Sequence, residues 1–196
     1  MYSVDLTVFA LCWGLFLVVW GLGWIYNLWK APRVERRSSL RPVWVVVLAL
    51  IVLIGWYAPF QPLRSVGSTP LWIAIPGVIC LALSTGLTLW ARFALGTMWS
   101  HAPEVKVGHQ LRVDGPYRIT RHPIYTGIIG MILGSMLMNG LGAWVLLSLI
   151  GVSMLVAKVP PEERLLSETF GEQYRQYQQR VPRLVPGLQL LRRSHS

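Results

Sequence analysis

Two clusters of ionisable side chains bracket one apolar stretch of this chain, and their residue types suit the binding of a charged small molecule. The first cluster is the segment Gly115–Gly127, which carries Tyr117, His122 and Tyr125. The second is Lys158–Glu163, about thirty residues later. Ionisable groups at a membrane mouth are costly and therefore point to a working site. Together, histidines, tyrosines, arginines and paired carboxylates suit a zwitterionic or cationic cofactor better than covalent catalysis.

Other catalytic patterns do not occur in the sequence. No Ser, Cys or Thr lies in an elbow motif, and no phosphate-binding Walker loop is present. Gly21-Leu-Gly23 lacks the third glycine of a dinucleotide fingerprint. Cys12 and Cys80 lie inside apolar runs, which predicts packing residues and neither a disulfide nor a metal pair. No metal site is predicted, because no histidine or cysteine spacing resembles one.

Composition predicts an integral membrane protein. Of the 196 residues, 54% are hydrophobic and only 13% are charged, whereas about a quarter of the residues in a soluble domain are charged. The net charge of +10 could suggest nucleic acid. The basic residues flank the apolar runs, however, as the positive-inside rule predicts, so no nucleic-acid partner is expected.

The apolar runs predict an all-α membrane protein of about five transmembrane helices. Residues 1–95 hold three anchor spans, and residues 96–196 hold a cofactor loop, a helical hairpin and a C-terminal helix, all in one integrated domain. Asn139-Gly140 is a tight-turn signal that joins the two arms of the hairpin. The five runs lie at about 6–29, 43–60, 71–95, 124–138 and 141–159.

The basic residues also predict the orientation. Five lie between the first two spans, five between the third and fourth, and seven at or beyond the end of the fifth, while Arg64 alone falls on the other side. The positive-inside rule therefore places the N-terminus outside and both long loops, the site and the C-terminus in the cytosol. The membrane would be a plasma or inner membrane or the endoplasmic reticulum.

A C-terminal amphipathic helix is predicted after the hairpin. Pro161 suits the first helical position, and Pro160 and Pro161 together predict a break between the fifth span and this helix. The helix is expected to lie at the interface or over the loop and to end at Val181-Pro182. Its apolar residues recur at helical spacing, namely Leu166, Phe170, Tyr174, Tyr177 and Val181.

Several of these residues also have simpler interpretations. His122 before Pro123 could cap a helix, and Glu162 could complement a helix dipole. Tyr117 and Tyr125 could be interfacial aromatics, and Lys158 could extend to the interface from the end of a span. The fourth span is short, and Gly127, Gly130 and Gly134 favour close helix packing. The convergence of the ionisable groups at one hairpin mouth favours a functional site.

Several motifs, in order and at matching spacing, resemble the isoprenylcysteine carboxyl methyltransferase family, which belongs to a wider group with the phospholipid methyltransferases. The resemblance covers residues 95–186. Its motifs are Leu95-Gly-Thr-Met-Trp-Ser100, Gly115-Pro-Tyr-Arg118, Arg121-His-Pro-x-Tyr-x-Gly127, Glu162-Glu-x-x-Leu166, Phe170-Gly-x-x-Tyr174-x-x-Tyr177 and Val181-Pro-Arg183.

The resemblance implies a membrane-embedded methyltransferase that uses S-adenosylmethionine without a Rossmann domain. Lys158 stands where the family has a substrate-contacting arginine, and Ala102 stands where a glutamine is expected. Lys158 and Glu162 are the implied catalytic residues, with Lys158 binding the acceptor. The implied cofactor-binding residues are His109, Gln110, Leu111, Arg112, Tyr117, His122, Pro123, Ile124, Tyr125 and Glu162.

The predicted acceptor is lipid-borne or apolar, because the site opens at a bilayer mouth. An isoprenylcysteine-like carboxylate is what the resemblance implies, and a phospholipid amine or a small thiol are alternatives. A sterol-type reductase with a nicotinamide cofactor and a non-enzymatic membrane scaffold are alternatives of other classes. The sequence leaves the oligomeric state open.

Overall fold

The computed structural model describes residues 2–30, 34–37, 69–99, 104–106, 110–140 and 142–185. Helices dominate this part of the chain, as predicted, and two short strands accompany them. The predicted span at about 43–60 lies outside the described residues. The elements are α1 (Tyr2–Lys30), β1 (Val34–Arg37), α2 (Leu71–Leu95), β2 (Glu104–Lys106), α3 (Pro123–Asn139), α4 (Gly142–Phe170) and α5 (Glu172–Arg180), with 3-10 turns at Gly96–Met98 and Gly115–Arg118.

The protein is an integral membrane protein, and three of the described helices are long and apolar enough to cross a bilayer. These segments are Leu6–Lys30, Leu71–Met98 and Trp144–Phe170. Helix α3 is apolar but has only 17 residues, which at about 1.5 Å per residue is shorter than a hydrocarbon core of roughly 30 Å. The predicted shortness of this helix is therefore confirmed, and its role as the fourth of five spans stays a prediction.

Helices α2 and α3 pack backbone to backbone through glycines. A side chain at Gly127 would overlap Thr88 Oγ1, and one at Gly130 would overlap Ser84 Oγ. A Cβ at Gly134 would lie 2.6 Å from the backbone nitrogen of Leu81. The predicted packing role of these glycines is confirmed: small residues let membrane helices approach until their backbones touch.

Helix α1 contributes an aromatic stripe to the core. Phe9, Trp13, Phe16 and Trp20 recur at intervals of four and three residues, so they share one helix face. Consecutive rings in the stripe lie 4.2–6.2 Å apart. The Trp13 indole donates a 3.0 Å hydrogen bond to Ser135 Oγ on α3, which satisfies a polar group that would be costly unpaired in lipid.

The C-terminal ends of α1 and α2 lie together with the beginning of α3 and the end of α4. Asn27 near the end of α1 donates a 2.9 Å hydrogen bond to the carbonyl of Trp99, just after α2. Beyond these ends, β1 pairs antiparallel with β2, with Val34 opposite Lys106 and Arg37 opposite Glu104. The two strands, one after α1 and one after α2, therefore lie next to each other.

Helix α4 runs without a break through Pro160 and Pro161, so the predicted break at these prolines is wrong. Proline removes a backbone donor, which leaves the carbonyls of Val156 and Ala157 without their helical partners. Lipid-embedded helices tolerate such sites when neighbouring groups satisfy the backbone. The consequence is that α4 carries its residues rigidly from the apolar interior to the polar mouth.

The separation of α4 from α5 occurs at Gly171, whose φ of +51° suits glycine. Buried Tyr174, Tyr177 and Val181 form the apolar face of α5 and pack on Leu111, Leu166 and Phe170. The helix ends before Val181, whose N–H donates to the Tyr177 carbonyl. The predicted amphipathic helix is thus shorter than expected, and it covers the loop.

Candidate active site

The site lies where α3 begins and α4 nears its end. Pro123 occupies the first turn of α3, where its missing N–H costs nothing. The Thr126 N–H donates to the His122 carbonyl at 2.9 Å, while the His122 side chain makes no capping bond. The imidazole is therefore free of the capping role that its position suggested.

Tyr125 and Glu162 join the two helices. The Tyr125 hydroxyl donates to Oε2 of Glu162 at 2.7 Å. The Glu162 side chain is 28% exposed, and among the described residues no hydrogen bond engages its other oxygen, Oε1. A carboxylate oriented by one neutral donor keeps its charge for a ligand.

His122 lies between two carboxylates. Its side chain is only 3% exposed, with Nδ1 at 3.8 Å from Oε2 of Glu162 and Nε2 at 3.4 Å from Oε1 of Glu163. The imidazole stacks on the Tyr125 ring at 5.5 Å, with 9° between the planes. Nε2 is buried, and the carboxylate of Glu163 at 3.4 Å is its polar neighbour in the described part of the chain.

Tyr117 forms the loop side of the site. Gly115, with a φ of +56°, turns the chain into the 3-10 helix that buries Tyr117 to 8% exposure. Burial raises the pKa of the Tyr117 hydroxyl well above its usual value, and the nearby Glu162 carboxylate raises it further. Tyr117 is therefore a neutral donor at physiological pH, and its own carbonyl accepts a 2.6 Å bond from Tyr177.

Lys158 lies one turn before Glu162 on the same face of α4, because the helix is continuous there. Its side chain is half-buried, and no described carboxylate lies within 4.0 Å of its ammonium group. The loss of water around this cation favours an anionic partner. Lys158 is therefore a half-buried cation on the same helix face as Glu162.

The remaining predicted residues have varied positions. Gln110 is exposed, and the exposed Arg112 pairs with Asp114 at 3.1 Å. Leu111 packs against α5, while Pro123 and Ile124 are buried at the start of α3. His109 lies outside the described residues, as does Ala102. The structure thus brings together Tyr117, His122, Tyr125, Glu162 and Lys158.

Three residues of the site form a cluster of ion pairs that the sequence did not predict. Arg121 and Glu163 form a buried ion pair at 2.7 Å, and Arg183 reaches the same carboxylate at 2.6 Å. All three lie within the quoted motifs, but nothing in their spacing indicated that distant segments meet. Only Glu163 offered a signal, since a buried second carboxylate needs a partner.

The side chains at this mouth fit S-adenosylmethionine by charge. The free oxygen of Glu162 suits the ammonium group of the amino-acid moiety, and the faces of Tyr117 and Tyr125 suit a sulfonium. Arg112 has an exposed guanidinium for the carboxylate, although Asp114 competes for it. The donor set therefore matches a zwitterion that carries one additional positive charge.

Comparisons with known proteins identify the family to which the chain is similar. The family model described as phospholipid methyltransferase matches residues 72–173. Protein-S-isoprenylcysteine O-methyltransferase B of Arabidopsis thaliana is 32% identical over 119 residues, which cover 59% of this chain and 60% of that protein. Methanethiol S-methyltransferase 1 of Bradyrhizobium diazoefficiens is 36% identical over 70 residues, which cover 36% of this chain and 24% of that protein.

A solved structure shares the fold. The eukaryotic intramembrane Ras methyltransferase ICMT (isoprenylcysteine carboxyl methyltransferase) superposes with a TM-score of 0.54 and 24% identity, covering 75% of this chain and 52% of that one. The similarity reaches no more than about 60% of the length of either isoprenylcysteine methyltransferase. The residues matched by the family model, 72–173, include the hairpin that carries the site.

Proposed function

This chain belongs to the phospholipid methyltransferase family, and on that premise we propose that it is a membrane-embedded S-adenosylmethionine-dependent methyltransferase. The proposed acceptor is a lipid-borne carboxylate of the isoprenylcysteine type. The named relatives include an isoprenylcysteine O-methyltransferase, which supports both the reaction and the acceptor class.

One observation carries the proposal: the partly exposed Glu162 carboxylate lies at the hairpin mouth, oriented by Tyr125 at 2.7 Å. Beside it lie the neutral Tyr117 and the buried His122, which stacks on the Tyr125 ring. A partly exposed carboxylate next to aromatic rings is an arrangement that favours a cationic ligand. S-adenosylmethionine provides such a cation.

S-adenosylmethionine, when bound, supplies a methyl group on a positively charged sulfur, which is open to in-line attack. The protein's task is alignment, because a carboxylate acceptor is already ionised and needs no general base. Glu162 would hold the ammonium group of the donor, and the rings of Tyr117 and Tyr125 would stabilise its sulfonium. The absence of a Ser, Cys or Thr elbow motif from the sequence agrees with a direct transfer.

Lys158 binds the acceptor carboxylate from the membrane side in this proposal. One helical turn separates it from Glu162, about 6 Å along the face of a helix. Its ammonium group acts as a point charge, where an arginine would clamp a carboxylate with two parallel bonds. The positive-inside rule gives this mouth a cytosolic orientation, with the N-terminus outside.

A small thiol is the second candidate acceptor, and the similarity to methanethiol S-methyltransferase 1 favours it. A thiolate also needs no clamp, so Lys158 would serve as a counter-charge alone. The two candidates differ in the dependence on the acceptor's hydrocarbon. A prenyl chain would contribute binding energy in the first case and none in the second.

Calorimetric titration of the detergent-solubilised protein with S-adenosylhomocysteine tests the donor site. Micromolar binding is expected, with a loss of about tenfold or more in Glu162→Gln because a charged hydrogen bond disappears. Glu168→Gln, an exposed carboxylate on the same helix, is the matched control. No binding by the folded wild type, together with binding of a nicotinamide cofactor, would instead favour a reductase.

Methyl transfer to acceptors is then measured with labelled S-adenosylmethionine. An S-farnesyl cysteine analogue with a free carboxylate, its amide and a short-chain thiol form the minimal panel. Turnover of the carboxylate alone supports the isoprenylcysteine type of acceptor. Turnover of the thiol alone supports the second candidate.

A further inference from the structure

Glu163 joins three segments that are distant in the sequence. Arg121, just before α3, donates from Nε to Oε1 at 2.9 Å, and its Nη2 lies 2.7 Å from the same oxygen. Arg183, beyond α5, donates from Nη2 to Oε2 at 2.6 Å. Both oxygens of Glu163 are thereby engaged, whereas Tyr125 donates to only one oxygen of its neighbour Glu162, Oε2. We call these three residues the Glu163 bridge.

Arg121 extends the bridge to α5. Its Nη1 donates to the carbonyl of Gln178 at 3.0 Å and to that of Val181 at 2.6 Å. These carbonyls belong to the C-terminal end of α5, where an arginine stabilises the helix dipole. One guanidinium therefore connects α4 with the end of α5.

The segment after α5 also pairs directly with the stretch that carries the site. The backbone N–H groups of Arg121 and His122 donate to the carbonyls of Pro182 and Arg183 at 2.9 and 3.2 Å. The hydroxyls of Thr120 and Thr126 donate to the carbonyls of Arg183 and Leu184 at 2.8 and 2.7 Å. The backbone of His122 is thus hydrogen-bonded to the segment that follows α5.

The two halves of the bridge differ in burial. The side chains of Arg121 and Glu163 are 8% and 6% exposed, whereas Arg183 is 53% exposed. Water cannot replace either partner of the buried Arg121–Glu163 pair, so the loss of one residue would leave the charge of the other uncompensated. The exposed half exchanges readily with water and responds to salt.

We propose that Glu163 is a positioning residue for the methyl transfer, which holds His122 and the C-terminal segment in place so that the donor site is formed before the donor arrives. This inference rests on the proposed function. If only a fraction of the protein molecules has a correctly formed site, the apparent affinity for the ligand falls in proportion to that fraction. The expected signature of losing Glu163 is therefore a raised KM for S-adenosylmethionine with kcat preserved at saturation.

Steady-state kinetics of Glu163→Gln test the proposal. The KM for S-adenosylmethionine is expected to rise about tenfold, from the loss of charge-assisted hydrogen bonds, while kcat changes by less than about twofold because bound donor restores the competent form. Arg183→Gln, which removes only the exposed half, should raise the KM by a smaller factor. The control is Arg164→Gln, which changes an exposed arginine on α4 that is not part of the Glu163 bridge. It should behave as wild type.

Two further readouts separate positioning from simple stability. Trypsin should cleave after Arg183 faster in Glu163→Gln than in wild type. Added S-adenosylhomocysteine should slow the cleavage of the variant. The KM of the wild type should rise with salt, and that of Arg183→Gln should rise less. A variant that merely unfolds would lose kcat in proportion to active protein and keep its KM.

The outcomes are distinct. Suppose that the wild type binds S-adenosylhomocysteine and that both Glu163→Gln and Arg183→Gln have the wild-type KM for S-adenosylmethionine. The positioning role is then overturned. If the wild type binds no donor, the proposed function fails, while the cleavage assay still reports whether the bridge holds the segment. If Glu163→Gln does not fold, Arg183→Gln decides the question alone.

Discussion

The Tyr125 hydroxyl and the Glu162 carboxylate meet at 2.7 Å across the mouth of the α3–α4 hairpin, 37 residues apart in the sequence. The pair defines the only partly exposed carboxylate that α4 presents to the described site. A neighbouring carboxylate on the same helix, Glu163, is fully engaged by two arginines. The adjacent residues Glu162 and Glu163 therefore differ in their hydrogen-bond partners and in the exposure of their carboxylates.

Removing the Tyr125 hydroxyl should weaken donor binding through Glu162. Tyr125→Phe is expected to reduce the affinity for S-adenosylhomocysteine about three- to tenfold, since a hydrogen bond to a charged group contributes about 1 kcal/mol or more. Calorimetry of Tyr125→Phe, Glu162→Gln and the double variant gives the coupling between them. The double variant should be no weaker than Glu162→Gln alone, and strictly additive losses would show that Tyr125 does not act through Glu162.

Lys158 should control the acceptor and leave the donor unaffected. Lys158→Met is expected to raise the KM of a carboxylate acceptor about tenfold or more by removing its counter-charge, with S-adenosylhomocysteine affinity unchanged. Lys158→Arg should preserve or lower that KM, because the guanidinium can form two parallel bonds. Initial rates against acceptor concentration provide the measurement. A loss of donor affinity in Lys158→Met would place the lysine in the donor site instead.

A single added methyl group should separate α2 from α3. In Gly134→Ala the new Cβ would meet the backbone of Leu81 and the carbonyl of Gly77, and backbone cannot move aside as a side chain can. The expected cost is about 1–3 kcal/mol from overpacking. Gly86→Ala on α2 meets nothing within 4 Å and should be neutral or stabilising. Thermal unfolding in detergent compares them, and equal midpoints would contradict the close helix contact.

High pH should weaken the contact between α5 and the loop. Burial raises the pKa of the Tyr177 hydroxyl above its usual value of about 10, so the folded state holds this proton more tightly than the unfolded state. The stabilisation is complete below pH 10 and declines as the pH rises further. The difference in unfolding midpoint between wild type and Tyr177→Phe should therefore narrow as the pH rises above about 10. A constant difference would mean that Tyr177 does not titrate differently on folding.

Much of the membrane architecture followed from the sequence because hydrocarbon length and charge placement constrain it strongly. The run at 71–95 matches helix α2 at both ends, Leu71 and Leu95. The glycines of α3 predicted close packing, and the structure shows it. These features depend on local composition, which the sequence displays directly.

The break predicted at Pro160 and Pro161 failed for a physical reason. In water, two prolines remove two helix donors and favour a turn, but a helix that continues an apolar span has little alternative, since lipid penalises any other backbone. The chain turns at Gly171 instead, where φ is positive. Continuity then restores the four-residue relation between Lys158 and Glu162.

The Glu163 bridge was beyond sequence reasoning for a different reason. Arg121 lies 42 residues before Glu163, and Arg183 lies 20 residues after it. Their pairing with Glu163 depends on how α5 folds back over the loop. Hydrophobic periodicity predicted that α5 has an apolar face. It could not tell which carbonyls at the end of α5 would meet Arg121.

The hydrogen bonds that end on residues 182–184 have a consequence for biosynthesis. Proteins emerge from the ribosome N-terminus first, so the membrane helices described here are complete before Pro182 is made. A nascent chain halted before that residue would be inserted in the bilayer with Thr120, Thr126 and the His122 amide still lacking these acceptors. Insertion and completion of the site are thus successive events, and the synthesis of residues 182–184 times the second.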